Sequence, residues 1–300
     1  MEIVAYNGWK NNVRLSNNEV ELIVTKDVGP RIIRFGFIGE RNVFAEFKNQ
    51  QGKSGEREWM IRGGHRLWIA PEEKPKSYEL DNGPIRTEEI RDGVRTLQPA
   101  GPLSKMRKVM EISLSSKSND VTVIHKLSNT SKKTVELSAW GLSVMAPRGL
   151  AIIPLPEKVP HTRLLTHNQQ WSLWGYTDLT DPRFTIGQHF ILFRQDATRG
   201  PNKLGIANRE GWVAYLLSGY LFIKRFKMLE RANYPDGGVN CETFSNQQML
   251  EIESLGPLVI LPPNKSVTHE EKWSLFRNVP SCKTEADVLR YIIPIVTKLR

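Results

Sequence analysis

Met110-Glu111-Ile112-Ser113-Leu114-Ser115-Ser116-Lys117-Ser118-Asn119-Asp120-Val121-Thr122-Val123-Ile124-His125-Lys126-Leu127 decides the fold class of this 300-residue chain. Met110, Ile112 and Leu114 recur at a period of two, the spacing of a strand that buries one face. Lys117-Ser118-Asn119-Asp120 interrupts the pattern with turn-forming residues, after which Val121, Val123 and Leu127 resume it. Two alternating runs across a short polar break predict an antiparallel hairpin.

The same alternation extends in both directions. Val20, Leu22 and Val24 form one face, and Asp27-Val28-Gly29-Pro30 marks a turn into Ile32-Ile33-Arg34-Phe35. Further strands are expected over residues 134–144, 189–194, 212–217, 220–225, 248–254 and 268–275. Only one stretch has helical spacing. Thr284 with Asp287 three residues on resembles a capping box, and Val288, Leu289, Ile292, Ile293 and Val296 follow at helical intervals. That predicts a helix over residues 285–298, kinked or shortened by Pro294. No repeat or long linker divides the chain. The expectation is one all-β domain over residues 1–300, an antiparallel β-sandwich with a single C-terminal helix.

Hydrophobic residues make up 39% and charged residues 25%, which excludes a disordered chain, and this length can bury a sizeable core. Cys241 and Cys282 have neither metal nor redox spacing, so no disulfide framework is expected and a reducing compartment is the default. No apolar run approaches the roughly 18 residues that span a bilayer. The opening Met1-Glu2-Ile3-Val4-Ala5-Tyr6-Asn7 lacks the layout of a secretory signal. The expectation is a cytoplasmic protein without a membrane partner. The net charge of +10 raises the question of an anionic partner. Basic residues cluster only weakly, at Lys105-Arg107-Lys108, Lys132-Lys133 and Lys224-Arg225-Lys227, with no zinc or aromatic nucleic-acid motif. No nucleic-acid partner is expected; a small anionic ligand remains compatible.

Among the six histidines, His125 shares a face with Val121, Val123 and Leu127 and reads as core packing. His189 and His269 stand at strand starts, and His161 and His167 lie in a polar loop. None has zinc-ligand spacing, so no metal site is expected. His65 stands apart because of its company, Arg62-Gly63-Gly64-His65-Arg66-Leu67-Trp68-Ile69-Ala70-Pro71-Glu72. The glycines permit an unusual backbone or the close approach of a ligand. Arg62 and Arg66 supply forked donors, Trp68 offers a flat face for a sugar ring, and Glu72 adds a carboxylate. A polar turn between strands would read the same way. The second constellation is Asn233-Tyr234-Pro235-Asp236-Gly237-Gly238-Val239-Asn240-Cys241-Glu242-Thr243-Phe244. Its turn delivers Glu242 between apolar neighbours, where desolvation would raise its proton affinity toward that of a general base. The alternative is an exposed strand carboxylate. Lys203 and Lys224 are further candidates. Lys224 lies among apolar residues, so it either snorkels to the surface or meets a carboxylate, with Glu242 a possible partner.

These segments also carry a family resemblance. Val28-Gly29-Pro30-Arg31-Ile32-Ile33 followed by Asn42-Val43-Phe44 resembles the opening of the galactose mutarotase (aldose 1-epimerase) superfamily. Arg62-Gly63-Gly64 with Trp68 and Pro71 is similar to the hexose-6-phosphate mutarotase branch, with Arg62 in the place of a sugar-binding histidine of the aldose 1-epimerases. Cys241-Glu242-Thr243 resembles the segment holding the family's catalytic glutamate. Leu255-Gly256-Pro257-Leu258 and Glu271-Lys272-Trp273 extend the likeness toward the end of the chain, closest to an uncharacterised branch. The resemblance implies a supersandwich with a carbohydrate cleft, and a mutarotase or epimerase activity on a free or anionic aldose without a cofactor. Glu242 would be the base, with Arg62, Arg66, Trp68, Glu72, Lys203, Lys224 and Tyr234 as sugar-binding candidates. The family's acid is a histidine in a mid-chain strand, but the matching residues 139–147 contain none, which leaves His65 as the candidate acid. A non-catalytic carbohydrate-binding domain on the same scaffold is the alternative.

Overall fold

The computed structural model describes residues 1–299. Two antiparallel sheets pack face to face. The first runs, edge to edge, through Glu2–Tyr6, Trp9–Ser16, Val20–Thr25, Ile32–Phe37, Gly64–Ala70, Val135–Met145, Leu250–Leu255, Cys241–Ser245, Asn202–Ile206 and Trp171–Leu173. Val259–Leu261 pairs with the start of the Val135–Met145 strand. The second runs through Phe184–Ile186, Phe190–Arg194, Leu150–Pro154, Trp212–Leu217, Tyr220–Arg225, Ser266–Phe276, Asp120–Asn129, Met106–Leu114, Gly93–Gln98 and Arg86–Ile90.

The hairpin expected from the opening stretch is present, with Leu114 opposite Val121 and Ile112 opposite Val123. Its alternating apolar residues are buried against the inward face of the first sheet, where Leu67, Ala139, Ile252, Cys241 and Leu204 complete the main core. Burial of such side chains at about 25 cal/mol per Å² is what holds the two layers together. The strands expected over 212–217 and 220–225 match in full, and the other expected strands agree to within about two residues.

The C-terminal helical segment begins at Thr284, whose hydroxyl and the Asp287 carboxylate form the reciprocal capping box. It continues as a π turn over Val288–Ile292 and an α turn over Ile293–Thr297. Pro294 has no N–H to give to a regular helix, and the widened turn precedes it directly. Val288, Ile292 and Val296 cover the outward face of the second sheet against Ile152, Trp212 and Ile223. The candidate site lies on the outward face of the first sheet, where Tyr78 of the short turn Lys76–Tyr78 packs. Among the described residues, no helix is long and apolar enough to cross a membrane.

Candidate functional site

Strand alternation and cross-strand register assemble the site. Directly opposed residues of an antiparallel sheet point to the same side. Arg66 opposes Leu142, Leu142 opposes Glu253, Glu253 opposes Glu242, and Glu242 opposes Gly205. One row thus crosses five strands on the outward face. A flanking row runs through Trp68, Trp140 and Leu255, and on the other side another runs through Val144, Glu251, Phe244 and Lys203. Trp68, Trp140, Leu142 and Leu255 pack with Trp59 and Tyr78 into an apolar wall. A cavity of about 260 Å³ opens over these rows, lined in part by Trp68, Trp140, Tyr176, Lys203, Glu251 and Glu253.

The floor is a buried ionic cluster. Lys203 Nζ lies 2.6 Å from Glu242 Oε2 and 3.6 Å from Glu253 Oε2. Its ammonium also stands 5.0 Å from the Trp140 ring centre and 4.5 Å from that of Trp174, within cation–π range. The Trp140 indole donates to Glu253 Oε2 at 2.9 Å. Glu242 Oε1 is buried without a hydrogen-bond partner among the described residues. Burial pushes the Glu242 carboxyl well above its ordinary range and Lys203 opposes this; Glu253 moves the same way for the same reasons. Lys203 moves upward as well, since the two carboxylates outweigh the burial that would lower it, so it keeps its proton. Above the cluster, Thr177 Oγ1 donates to the Lys203 carbonyl and accepts from the Trp174 amide, which fastens the Trp174 loop over the lysine.

Arg66 forms the cavity's second charged feature. Its guanidinium sits 4.4 Å from the Trp68 ring centre and 5.2 Å from that of Trp59, and pairs with Glu251 at 3.1 Å. Arg66 Nε has no hydrogen-bond acceptor among the described residues. Buried polar atoms left open along a cavity are what a polyhydroxylated ligand would satisfy. Glu72 also lines the cavity, held by the Tyr78 hydroxyl.

Of the sequence candidates, Arg66, Trp68, Glu72, Lys203 and Glu242 come together here, and four do not. His65 is the main correction. It is one residue out of step with Arg66, so it points into the core between the sheets. Its row there is Ser143 and Ile252. His125 Nδ1 lies 3.0 Å from the His269 carbonyl, which only accepts, so Nδ1 carries the proton and Nε2 is the bare lone pair. His65 Nε2 donates to it at 2.7 Å, and His65 Nδ1 then accepts from the Ser143 hydroxyl at 2.9 Å. Burial holds both imidazoles below their ordinary proton affinity. His65 is neutral, fully bonded and on the wrong face to act as the acid.

Lys224 is the second correction: it neither snorkels nor meets Glu242. It is fully buried in the same interior cluster, 3.0 Å from Glu271 and donating to the Gly141 and Ile252 carbonyls. Burial alone would raise the Glu271 carboxyl, but Lys224 together with His65, His125 and His269 outweighs it and holds that carboxyl below its usual range. The ligand atoms of His65, His125 and Glu271 lie within 4.8 Å of one another, a spacing that could hold a metal ion. Each already takes part in a hydrogen bond, and the Lys224 charge stands where a cation would go.

Arg62 is the third. Its side chain is buried against Glu56 at 2.6 Å and donates to the Gln50 and Lys53 carbonyls, away from the cavity. The neighbouring glycines serve the backbone rather than a ligand: a Cβ on Gly63, at φ +95°, would stand 1.9 Å from the Ala45 carbonyl oxygen. Tyr234 is the fourth. Its hydroxyl accepts from the Leu229 amide and it lines a separate surface depression with Met228 and Leu258.

Glu253, Glu251, Trp140, Trp174 and Tyr176 were missed as site residues. Alternation offered a signal for the first two, since Glu251 and Glu253 are charges at every second position of an otherwise apolar strand. Trp140 falls in the segment where the family places its histidine. Trp174 and Tyr176 lie on a loop, where no periodicity operates.

This architecture is that of the galactose mutarotase-like proteins. A galactose mutarotase-like protein from Lactobacillus casei superposes with a TM-score of 0.59 at 8% identity, covering 89% of this chain and 100% of that one. A galactose mutarotase related enzyme from Lactobacillus acidophilus gives 0.57 at 10% identity over 91% of this chain and 100% of the other. A GH36 α-galactosidase from Geobacillus stearothermophilus gives 0.51 at 10% identity over 89% of this chain and 41% of the enzyme. No protein-family model matches the chain, and no curated protein sequence does.

Proposed function

We propose that the chain binds a neutral aldose in the outward cavity of the first sheet and interconverts its anomers by acid–base catalysis. The observation that carries this reading is the buried Glu242–Lys203–Glu253 cluster on the floor of an aromatic-walled cavity. Mutarotation requires one group to take the C1 hydroxyl proton and another to protonate the ring oxygen. A cluster of two desolvated carboxylates and an ammonium holds exchangeable protons at that place. Trp68 and Trp140 supply faces for the sugar ring. The mutarotase-like and galactosidase names of proteins sharing the fold agree with a sugar ligand.

Charge selects against an anionic sugar. Arg66 and Lys203 are already paired with carboxylates, and the lining residues Glu72, Glu251 and Glu253 outnumber them. Arg62, the cation that would resemble a phosphate ligand, is consumed by Glu56. The net +10 of the chain therefore belongs to the outer surface rather than to the cavity.

The test is a panel of neutral, phosphorylated and uronic aldoses, read first by thermal shift, because a ligand of the native state raises its melting temperature. Anomer exchange is then read by NMR on every binder. Neutral aldoses are expected to stabilise the protein and to exchange faster than the uncatalysed rate. Binding without acceleration would instead favour a carbohydrate-binding domain, and preference for a sugar phosphate would overturn the charge argument.

A further inference from the structure

We propose that, within the anomer-exchange reading, Glu253 takes the sugar's proton and Lys203 gives one to the ring oxygen, while Glu242 acts as a buried positioning residue. The inference rests on that reading and departs from the assignment that the sequence resemblance implies, in which Glu242 is the base.

The geometry points to Glu253. It lines the cavity together with Lys203, whereas Glu242, equally buried, does not. The two glutamates are direct cross-strand partners, but Lys203 lies against Glu242 at 2.6 Å and reaches Glu253 at 3.6 Å, so the ammonium stands on Glu242. Glu253 Oε2 accepts the Trp140 indole proton, which fixes the plane of the carboxylate. With Oε2 engaged by the indole, Glu253 Oε1 is the oxygen left to meet a C1 hydroxyl. The histidine that resembles the family's acid is absent from residues 139–147, and His65 faces the opposite side of the sheet.

The proton balance closes without any further group. Ionised Glu253 takes the C1 hydroxyl proton as the C1–O bond to the ring oxygen breaks and the C1 carbonyl forms. The electron pair of that bond goes to the ring oxygen, which receives a proton from the Lys203 ammonium. Neutralising Glu253 removes one of the two negative charges that hold the lysine's proton, so Lys203 becomes a stronger acid when the ring oxygen needs it. Rotation about C1–C2 presents the other face of the carbonyl. Reclosure returns the hydroxyl proton from Glu253 and the ring-oxygen proton to Lys203, leaving the protein unchanged. Glu242 takes no part in the transfer and, 2.6 Å from the ammonium, keeps Lys203 in place.

The experiment measures anomer exchange by NMR and sugar affinity by titration for wild type, Glu253→Gln, Lys203→Arg and Glu242→Gln. Glu253→Gln is expected to lose about 10²–10⁴-fold in exchange while keeping its affinity. Lys203→Arg keeps a cation that does not release its proton, and is expected to lose exchange with folding and affinity retained. Glu242→Gln is expected to keep measurable exchange with a changed pH profile. Removing a neighbouring negative charge lowers the proton affinity of Glu253, so the rise of kcat/KM with pH should move to lower pH. A purely structural role for Glu242 would leave that midpoint in place. A Glu242→Gln enzyme that is dead beside an active Glu253→Gln enzyme would overturn the assignment, as would full activity in Lys203→Arg. If wild type accelerates no aldose, the functional reading fails and this proposal with it; that is decided before any variant is read.

Discussion

Replacing Lys203 by methionine tests whether the cavity floor is an electrostatic unit. Methionine keeps the unbranched chain and the contacts with Trp140 and Trp174 but removes the ammonium. In the folded protein the lysine side chain is 6% exposed, and those of Glu242 and Glu253 are 0% and 1% exposed. Removing one partner of so buried a pair costs about 3–5 kcal/mol, because the remaining charge is left without a counter-ion or water. An unfolding entropy of about 2.1 cal/mol/K per residue gives about 0.6 kcal/mol/K for this length. The melting temperature should therefore fall by roughly 5–8 °C at pH 7.5. The loss should depend on pH in a fixed direction. Both carboxyls have proton affinities raised above the ordinary value of 4.5, so the folded state holds protons that the unfolded chain has released. Stability then falls as pH rises through that window. Without Lys203 both affinities rise further and the slope steepens, so the gap between variant and wild type should close as pH falls toward 4.5. Adding Glu242→Gln to Lys203→Met removes one stranded charge and should recover part of the loss. Calorimetry from pH 5 to 8 is the assay. A gap below about 1 °C, or one that does not change with pH, would refute the reasoning.

Two further outcomes follow from residues placed away from the cavity. Arg62→Met should destabilise by about 2–3 kcal/mol, since it strips Glu56 and two backbone carbonyls of their donor, and should leave sugar affinity unchanged in the same titration; lost affinity with unchanged stability would return Arg62 to the site. Gly63→Ala should abolish soluble folded protein or lower the melting temperature by more than 10 °C, given a Cβ set 1.9 Å from the Ala45 oxygen at positive φ; a melting temperature within 2 °C of wild type, measured by calorimetry, would show that the backbone there is free to shift.

Period-two patterning made the sandwich legible because most strands have one face in the main core. The hairpin around Lys117-Ser118-Asn119-Asp120 and the strands Trp212–Leu217 and Tyr220–Arg225 could be placed from it directly. The capped C-terminal helix was legible for a parallel reason, a cap followed by helical spacing. Short strands such as Phe184–Ile186 and Trp171–Leu173 were not, since three residues carry too few alternations to stand out.

The candidate site was half legible, and the half that failed did so for a reason contained in the sequence. Gly64–Ala70 reads as a polar turn because it gathers His65, Arg66 and Trp68, yet it forms a strand with a fully determined sidedness. Once it is a strand, adjacent residues cannot share a cleft: Leu67 and Ile69 are apolar partners of the interior, so His65 belongs with them and Arg66 with Trp68. The same rule applied to Leu250–Leu255 puts Leu250, Ile252 and Ser254 inward and Glu251, Glu253 and Leu255 outward. What the chain does not encode locally is register. Nothing in Glu242 or Glu253 alone says that they stand opposite each other, or that Lys203, two positions from the Gly205 that opposes Glu242, reaches diagonally to both. Glu242 and Glu253 meet across the hairpin of Cys241–Ser245 and Leu250–Leu255, but Lys203 comes from a strand some 40 residues earlier, and that longer-range register turns three ordinary strand residues into one proton-holding cluster.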